Sequence, residues 1–516
     1  ACKGNIIAFT NESHMEGSSF QVVLFAENLQ NVGKEVFIMA KSVTKDMTVG
    51  SPMKLILQFC IPLFFGMLFQ QFYNMMDTII VGKFLGVHAL AAVGATGSIN
   101  FMVIGFCMGV CNGFAIPVAQ QFGAKDFHSL RKYVANSVWL SAAFAGVMTV
   151  AVCLLCKQIL GWMRTPADIM DGSYAYIFVI FLGIPATYLY NLLSGIIRSM
   201  GDSKSPLVFL VLSSVLNIIL DLVMILVFHM GVAGAAWATV ISQAVSGIIC
   251  LVYMVKRFEI LRISKEEWRL EARYVGVLCN MGIPMGLQYS ITAIGSVILQ
   301  AAVNSLGSLA VAAVSTSTKI SMFFCCPFDA MGSTMATYAG QNVGAGKLKR
   351  VSEGIKSTSV LGLVYSVAAC GVLVLFGSKI ALLFLDASET GILENVQMLL
   401  TANSAFFFPL ALVNIVRFTI QGMGFSRFAI LAGVCEMVAR GVVGLGLVPV
   451  FGYLAVCFAS PVAWIFADLF LVPAYLYLRK KLDKMIKDRE GEGTLAAGVT
   501  IEGNGSGVLA VSCKGK

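Results

Sequence analysis

Residues 89–124, 133–156, 172–197, 230–255, 274–318 and 357–378 contain no Asp, Glu, Lys or Arg. A helix crosses a bilayer with about 20 apolar residues, so every one of these runs is long enough to do so. Only 12% of the chain is charged and 58% is hydrophobic, against about 25% charged in a soluble domain, which excludes a soluble globular enzyme. Including runs interrupted by one or a few charges gives twelve spans between residues 55 and 478. The short alternating segments of an outer-membrane barrel are missing, so the fold class is an all-α polytopic membrane protein.

Lys and Arg between the spans set the orientation. Flanks and even-numbered connections carry most of them, including Lys125, Arg131, Lys132, Arg198, Lys204, Arg262, Arg269, Lys347 and Arg350. The other face has only Lys83, Lys157, Arg164 and Lys379, which predicts cytoplasmic termini. This bias accounts for the net charge of +9 without a nucleic-acid partner. Cysteines lack paired CxxC and His spacing, so no zinc site is expected. His14, His88, His128 and His229 fall at loops or span ends, leaving intramembrane proton chemistry to carboxylates. No nucleophile triad, HExxH, P-loop or dinucleotide motif appears in a plausible context, so neither an enzyme nor a cofactor is expected.

The two halves repeat. LGVHALAAV at 85–93 matches LGSLAVAAV at 306–314 in six of nine positions, at an offset of 221. QQFGAKDFHSLRKYV at 120–134 faces QNVGAGKLKRVSEGI at 341–355, and SMGDSK at 199–204 faces GMGFSR at 422–427. Six spans per repeat give parallel halves, two lobes around a central cleft. The organisation read from this is an N-terminal segment, 1–50, without fixed structure; an N-lobe, 51–255; a linker, 256–275, expected as a surface amphipathic helix; a C-lobe, 276–480; and a disordered tail, 481–516.

A carboxylate near mid-bilayer costs about 2.5–3.5 kcal/mol, so each needs a reason. Gln70, Tyr73 and Asp77 share one helix face by their spacing, and Asn217 and Asp221 share another. With Thr239 at the same depth they form a hard-oxygen set suited to Na⁺, or a pair of acids able to share a proton. A plainer reading makes Asp77 an interfacial acid near Lys83. The second half mixes signs, with Lys319, Asp329, Arg417, Glu436, Arg440 and Asp468, a polar network whose members can neutralise one another. Pro62, Pro185, Pro284, Pro327 and Pro409 lie inside spans, and a bend at Pro62 would move Asp77. Met67, Phe69, Tyr73, Met75, Tyr289 and Phe323 would give the cleft an apolar, aromatic wall.

The PxxxxxxxQQxYNxxD run at 62–77, VGKFLGxxALAAVG at 81–94, the basic GA loops, RSMGDSK at 198–204 and NxxxD at 217–221 resemble the multidrug and toxin extrusion (MATE) transporters, over about residues 50–480. The likeness is to the bacterial DinF-like and MepA-like branches. It implies an antiporter of the bacterial cytoplasmic membrane that exchanges H⁺ or Na⁺ for amphipathic organic cations, working as a monomer. It also implies a cation site at Asp77, Asn217 and Asp221, with Gln70, Tyr73, Tyr176 and Thr239 around it. Residues 282–300 hold no carboxylate, unlike the NorM-like branch. A lipid-linked oligosaccharide flippase, which would need bases such as Lys319, Arg417 and Arg440 in the cleft, is the alternative; a passive channel or receptor leaves the paired N-lobe acids without a use.

Overall fold

The computed structural model describes residues 44–491 except 164 and 387, and the backbone of 500–503 and 509–512. Ten helices are long and apolar enough to cross a membrane, and two bent helix pairs bring the spans to twelve. We number them in chain order. Spans 1 to 3 are Pro52–Leu85, Val87–Ala124 and Phe127–Trp162; span 4 is Met170–Leu182 with Ile184–Ser199; spans 5 and 6 are Lys204–Val227 and Gly231–Arg257. Spans 7 to 9 are Ala272–Asn304, Ser308–Gly344 and Leu348–Ala381; span 10 is Thr390–Ala405 with Phe407–Gly422; spans 11 and 12 are Ser426–Phe451 and Tyr453–Ile486. Spans 1–6 and 7–12 form the two lobes.

Local chemistry explains where the helices start and break. Pro52 starts span 1 in the first turn, where its missing N–H costs nothing. The Asp126 carboxylate accepts from the Ser129 N–H at 3.0 Å and caps span 3. Spans 4 and 10 bend by 46° and 50° at matching places in the repeat. In each case a proline follows within a few residues, Pro185 and Pro409, opening the second helix in the only region that tolerates it. Pro62, by contrast, lies within an uninterrupted helix.

The lobes meet along two seams. Span 2 crosses span 7 where Gly109 and Gly113 face Gly282 and Gly286; a Cβ on Gly113 would lie 2.5 Å from the Gly282 Cα. Small residues one turn apart let the two backbones touch, a common way for helices to pack where lipid offers no hydrophobic contrast. Along the second seam Ile56, Phe59 and Leu63 of span 1 join the C-lobe core with Met335, Tyr338, Ala339 and Val343. The residues before span 1 continue this contact. Met47 is fully buried, its N–H donates to Gln341 Oε1 at 2.8 Å, and its carbonyl accepts from Asn342 and Arg350.

Two expectations need correction. Residues 258–271 are not an amphipathic helix: only a short 3₁₀ turn, Glu259–Leu261, interrupts an irregular strap that runs along span 3. Its apolar residues do not share a face, since Phe258 and Leu261 are buried while Leu270 is 63% exposed. Polar contacts decide the path. The buried Glu267 carboxylate accepts from Arg131 Nε at 2.8 Å and from the Ser264 N–H, Lys132 pairs with Glu271, and Trp139 Nε1 donates to the Trp268 carbonyl. The tail also departs from the boundary at 480: the last helix continues to Gly491, and Thr500–Gly503 pairs antiparallel with Leu509–Ser512. Residues 1–43, and His14 with them, lie outside the described residues, as does Arg164.

Candidate functional site

The N-lobe residues singled out from sequence converge. Asn217 and Asp221 lie on span 5, 2% and 0% exposed, just before a π-helical turn at Val223–Val227. Span 6 supplies Thr239, whose hydroxyl accepts from Asn217 Nδ2 at 3.4 Å and donates to the Ala235 carbonyl at 3.2 Å. Span 1 supplies Asp77, within electrostatic range of Asp221. Tyr73 and Tyr176 lie in range of both carboxylates, and Gln70 is a hydrogen-bonding neighbour of Tyr73. The decisive feature is what remains unbonded. Asp77 Oδ1, Asn217 Oδ1 and both oxygens of Asp221 are buried without a partner among the described residues. Buried polar atoms are nearly always satisfied, so four orphaned acceptors on two neighbouring helices form an incomplete shell. Every one is a hard oxygen, and a cation or a shared proton would complete the set. Among the described residues no group of three or more His, Cys, Asp or Glu is placed to hold a metal ion.

The C-lobe charges behave differently. Glu436 on span 11 is 3% exposed; its Oε1 accepts from Arg417 of span 10, and its Oε2 lies 3.5 Å from Arg440, one turn away. Asp468 and Asp329 are in electrostatic range of Arg417, and Asp329 is exposed on span 8. Lys319 is exposed and makes no ion pair among the described residues, so it stands apart from this network. Within the Arg417–Glu436–Arg440 triplet the one carboxylate is engaged by two guanidinium groups, while Asp468 Oδ1 beside it is buried without a hydrogen-bond partner among the described residues.

The cleft is sealed at its Lys- and Arg-rich end. Gln120 Nε2 of span 2 donates to the Gly422 carbonyl of span 10 at 3.0 Å, and Gln341 Nε2 of span 8 donates to the Ser199 carbonyl of span 4 at 2.8 Å. These are equivalent bonds in the two repeats, each lobe giving one and receiving one. Above the seal lies a cavity of about 40 Å³ bordered by Asn112, Arg198, Ser333 and Thr337. Phe72 of span 1 meets Phe323 of span 8 edge-on at 5.4 Å across the cleft wall. A larger groove of about 710 Å³ lies elsewhere, between spans 9, 10 and 12 and lined by Glu394, Gln397 and Phe458, away from both charged clusters.

Sequence reasoning missed Arg198 and the glutamine pair. Arg198 was counted with the loop bases, although it sits in the last turn of a helix against the other lobe. A signal for Gln120 and Gln341 was present: an amide repeated at the same offset of 221 within otherwise apolar spans.

The MatE family model matches this chain twice, over residues 62–223 and 284–445. The chain belongs to the MatE family of transporters. Both matched segments begin at the equivalent prolines of spans 1 and 7 and end in the π-helical turns of spans 5 and 11. This MatE protein is 31% identical over 310 residues, 59% of this chain and 68% of the relative, to a probable multidrug resistance protein, YpnP, of Bacillus subtilis. It is 27% identical to YoeA of the same organism over 357 residues, 68% and 77% of the two chains. The multidrug export protein MepA of Staphylococcus saprophyticus matches at 24% over 279 residues, 53% and 61%. A crystal structure of MATE in complex with MaL6 superposes with a TM-score of 0.80 at 22% identity, covering 85% of this chain and 99% of that one. An outward-facing multidrug resistance MATE family transporter of the MOP superfamily gives 0.80 at 22%, over 86% and 99%. At that identity the likeness concerns the fold, and the fold is theirs.

Proposed function

We propose that this MatE protein is a secondary active antiporter of the bacterial cytoplasmic membrane, with both termini cytoplasmic. It exports amphipathic organic cations in exchange for H⁺ or Na⁺ and works as a monomer. The observation that carries this reading is the set of buried oxygens without partners at Asp77, Asn217 and Asp221. Two carboxylates that share one proton or one Na⁺ are a coupling device. When the ion binds, the two acids can draw together and span 1 moves relative to spans 5 and 6; when it leaves, mutual repulsion favours the other arrangement. Span 1 is also the helix whose start belongs to the C-lobe core, so a change at Asp77 is felt at the seam between lobes. Substrate and ion then compete through states of one molecule, the requirement for exchange. The multidrug resistance and export names of the relatives favour cationic amphiphiles as cargo. Of the bases a lipid pyrophosphate would need, Arg417 and Arg440 are engaged with Glu436, and Lys319 is exposed without an ion pair among the described residues.

The test is uptake of a fluorescent organic cation into inverted vesicles, with an acid interior, a high internal Na⁺ concentration, or neither. Accumulation is expected under one gradient and not in its absence, and Asp221→Asn should abolish it while insertion persists. Undiminished uptake by a well-expressed Asp221→Asn protein would remove Asp221 from the coupling role.

A further inference from the structure

We propose that Arg198 and Asn112 form an anion-recognition subsite at the floor of the cleft, which takes the carboxylate end of a zwitterionic amphiphile. The proposal rests on the antiport reading and deepens it, because it names the residues that would distinguish substrates with a carboxylate from those without one.

The argument starts from the company Arg198 keeps. Arg131 has Glu267, Arg417 and Arg440 share Glu436, and Arg350 donates to both the Asn342 amide oxygen and the Met47 carbonyl. Arg198 has no carboxylate partner among the described residues. Its Nη2 donates to Asn112 Oδ1 at 3.2 Å, and this is its one hydrogen bond there. Side chains in electrostatic range of it, Tyr190, Tyr289, Cys250 and Cys111, are all ordinarily neutral at pH 7. A helix C-terminus can hold an arginine through its last carbonyls, yet no such bond is made. A half-buried guanidinium with one amide oxygen as acceptor keeps donors free, and its planar fork is matched by a carboxylate.

Space is provided for one. The 40 Å³ cavity beside Arg198 brings it together with Asn112 from span 2 and the hydroxyl side chains Ser333 and Thr337 from span 8, while Met285 and Phe418 close the apolar side. Space of this kind admits a small polar group such as a carboxylate. The opposite charge is also in place. Tyr289 lies in electrostatic range of Arg198, of Arg417 and of Asp329, the exposed acid on span 8. Because Ser333 and Thr337 come from the C-lobe and Arg198 from the N-lobe, the subsite is complete only while the basic ends are closed, one residue from the Gln341 to Ser199 bond.

The experiment compares tetramethylrhodamine, which carries a carboxylate, with its methyl ester, the same dye without it. Equilibrium affinities are read by fluorescence polarisation on the purified full-length protein, with no ion gradient. The wild type should prefer the acid, and Arg198→Gln should reduce the acid-to-ester ratio about tenfold, the effect of one charge-assisted fork. Asn112→Asp, which supplies Arg198 with an internal carboxylate and keeps the guanidinium, should reduce it too, and Arg198→Lys should retain part of it. A wild type that prefers the ester or binds neither dye would overturn the subsite, as would a ratio that survives both Arg198→Gln and Asn112→Asp. Failure of gradient-driven uptake with the ratio intact would instead count against antiport and leave the subsite standing.

Discussion

Glu436 and Asp221 are both buried carboxylates, and their surroundings assign them opposite consequences of mutation. Glu436 sits between two guanidinium groups, so Glu436→Gln removes the one carboxylate that pairs with both Arg417 and Arg440. Removing one partner of such a group costs about 3–5 kcal/mol, and we expect a clear fall in the thermal unfolding temperature in detergent. Asp221 has no partner, and replacing it by the isosteric amide removes an unsatisfied charge. Asp221→Asn should therefore unfold at or above the wild-type temperature while losing gradient-driven transport. A comparable loss of stability in the two variants would show that Asp221 is a structural ion and not a coupling group. Residue type, depth and the spacing of Glu436 to Arg440 were legible in the sequence, but the Arg417 contact comes from span 10 and only packing reveals it, while Asp221 has no hydrogen-bond partner among the described residues.

At the scale of elements, the strap between the lobes depends on Glu267. Burial would push its carboxyl up, but the Ser264 N–H and the Arg131 guanidinium outweigh that and hold it below the usual carboxylate range. A lowered folded-state value means the contact contributes stability above the unfolded value and loses it as pH falls through the folded one. Docking should persist at neutral pH and weaken only as the pH falls below the usual carboxylate range. Glu267→Gln should weaken it at every pH, by about 1–3 kcal/mol, read as faster limited proteolysis within 258–271; equal cleavage rates in wild type and variant would count against this anchoring. The strap shows where sequence stops being sufficient. Spans were legible because absence of charge is a local property, and Pro185 and Pro409 mark the two breaks by their own covalent geometry. Apolar spacing in 256–275 suggested a helix, but Arg131, Lys132 and Trp139, more than a hundred residues earlier in the chain, determine its path. Arg198 was misplaced for the same reason, since whether a base at a helix end faces water or the other lobe is decided by packing.

For the whole molecule the seal at the basic end is the feature to perturb. A Cβ on Gly344 would lie 1.8 Å from the Gln120 carbonyl oxygen, and one on Gly123 would lie 1.9 Å from that of Gln341. Neither obstacle is a movable side chain, so Gly344→Ala should force the lobes apart there. Spin labels at the exposed positions 125 and 349 should then report a longer distance than in the otherwise wild-type protein, and an unaltered distribution would show that the lobes do not yield at this contact. Gln120→Ala with Gln341→Ala should lengthen it in the same direction by removing both bonds. These bonds are reciprocal, since each repeat offers an amide from its second helix and a carbonyl from the end of its fourth. Two separate copies of a half-length chain would therefore meet through the same pair of contacts, as in an isologous dimer, and joining them end to end requires a tether but no new interface.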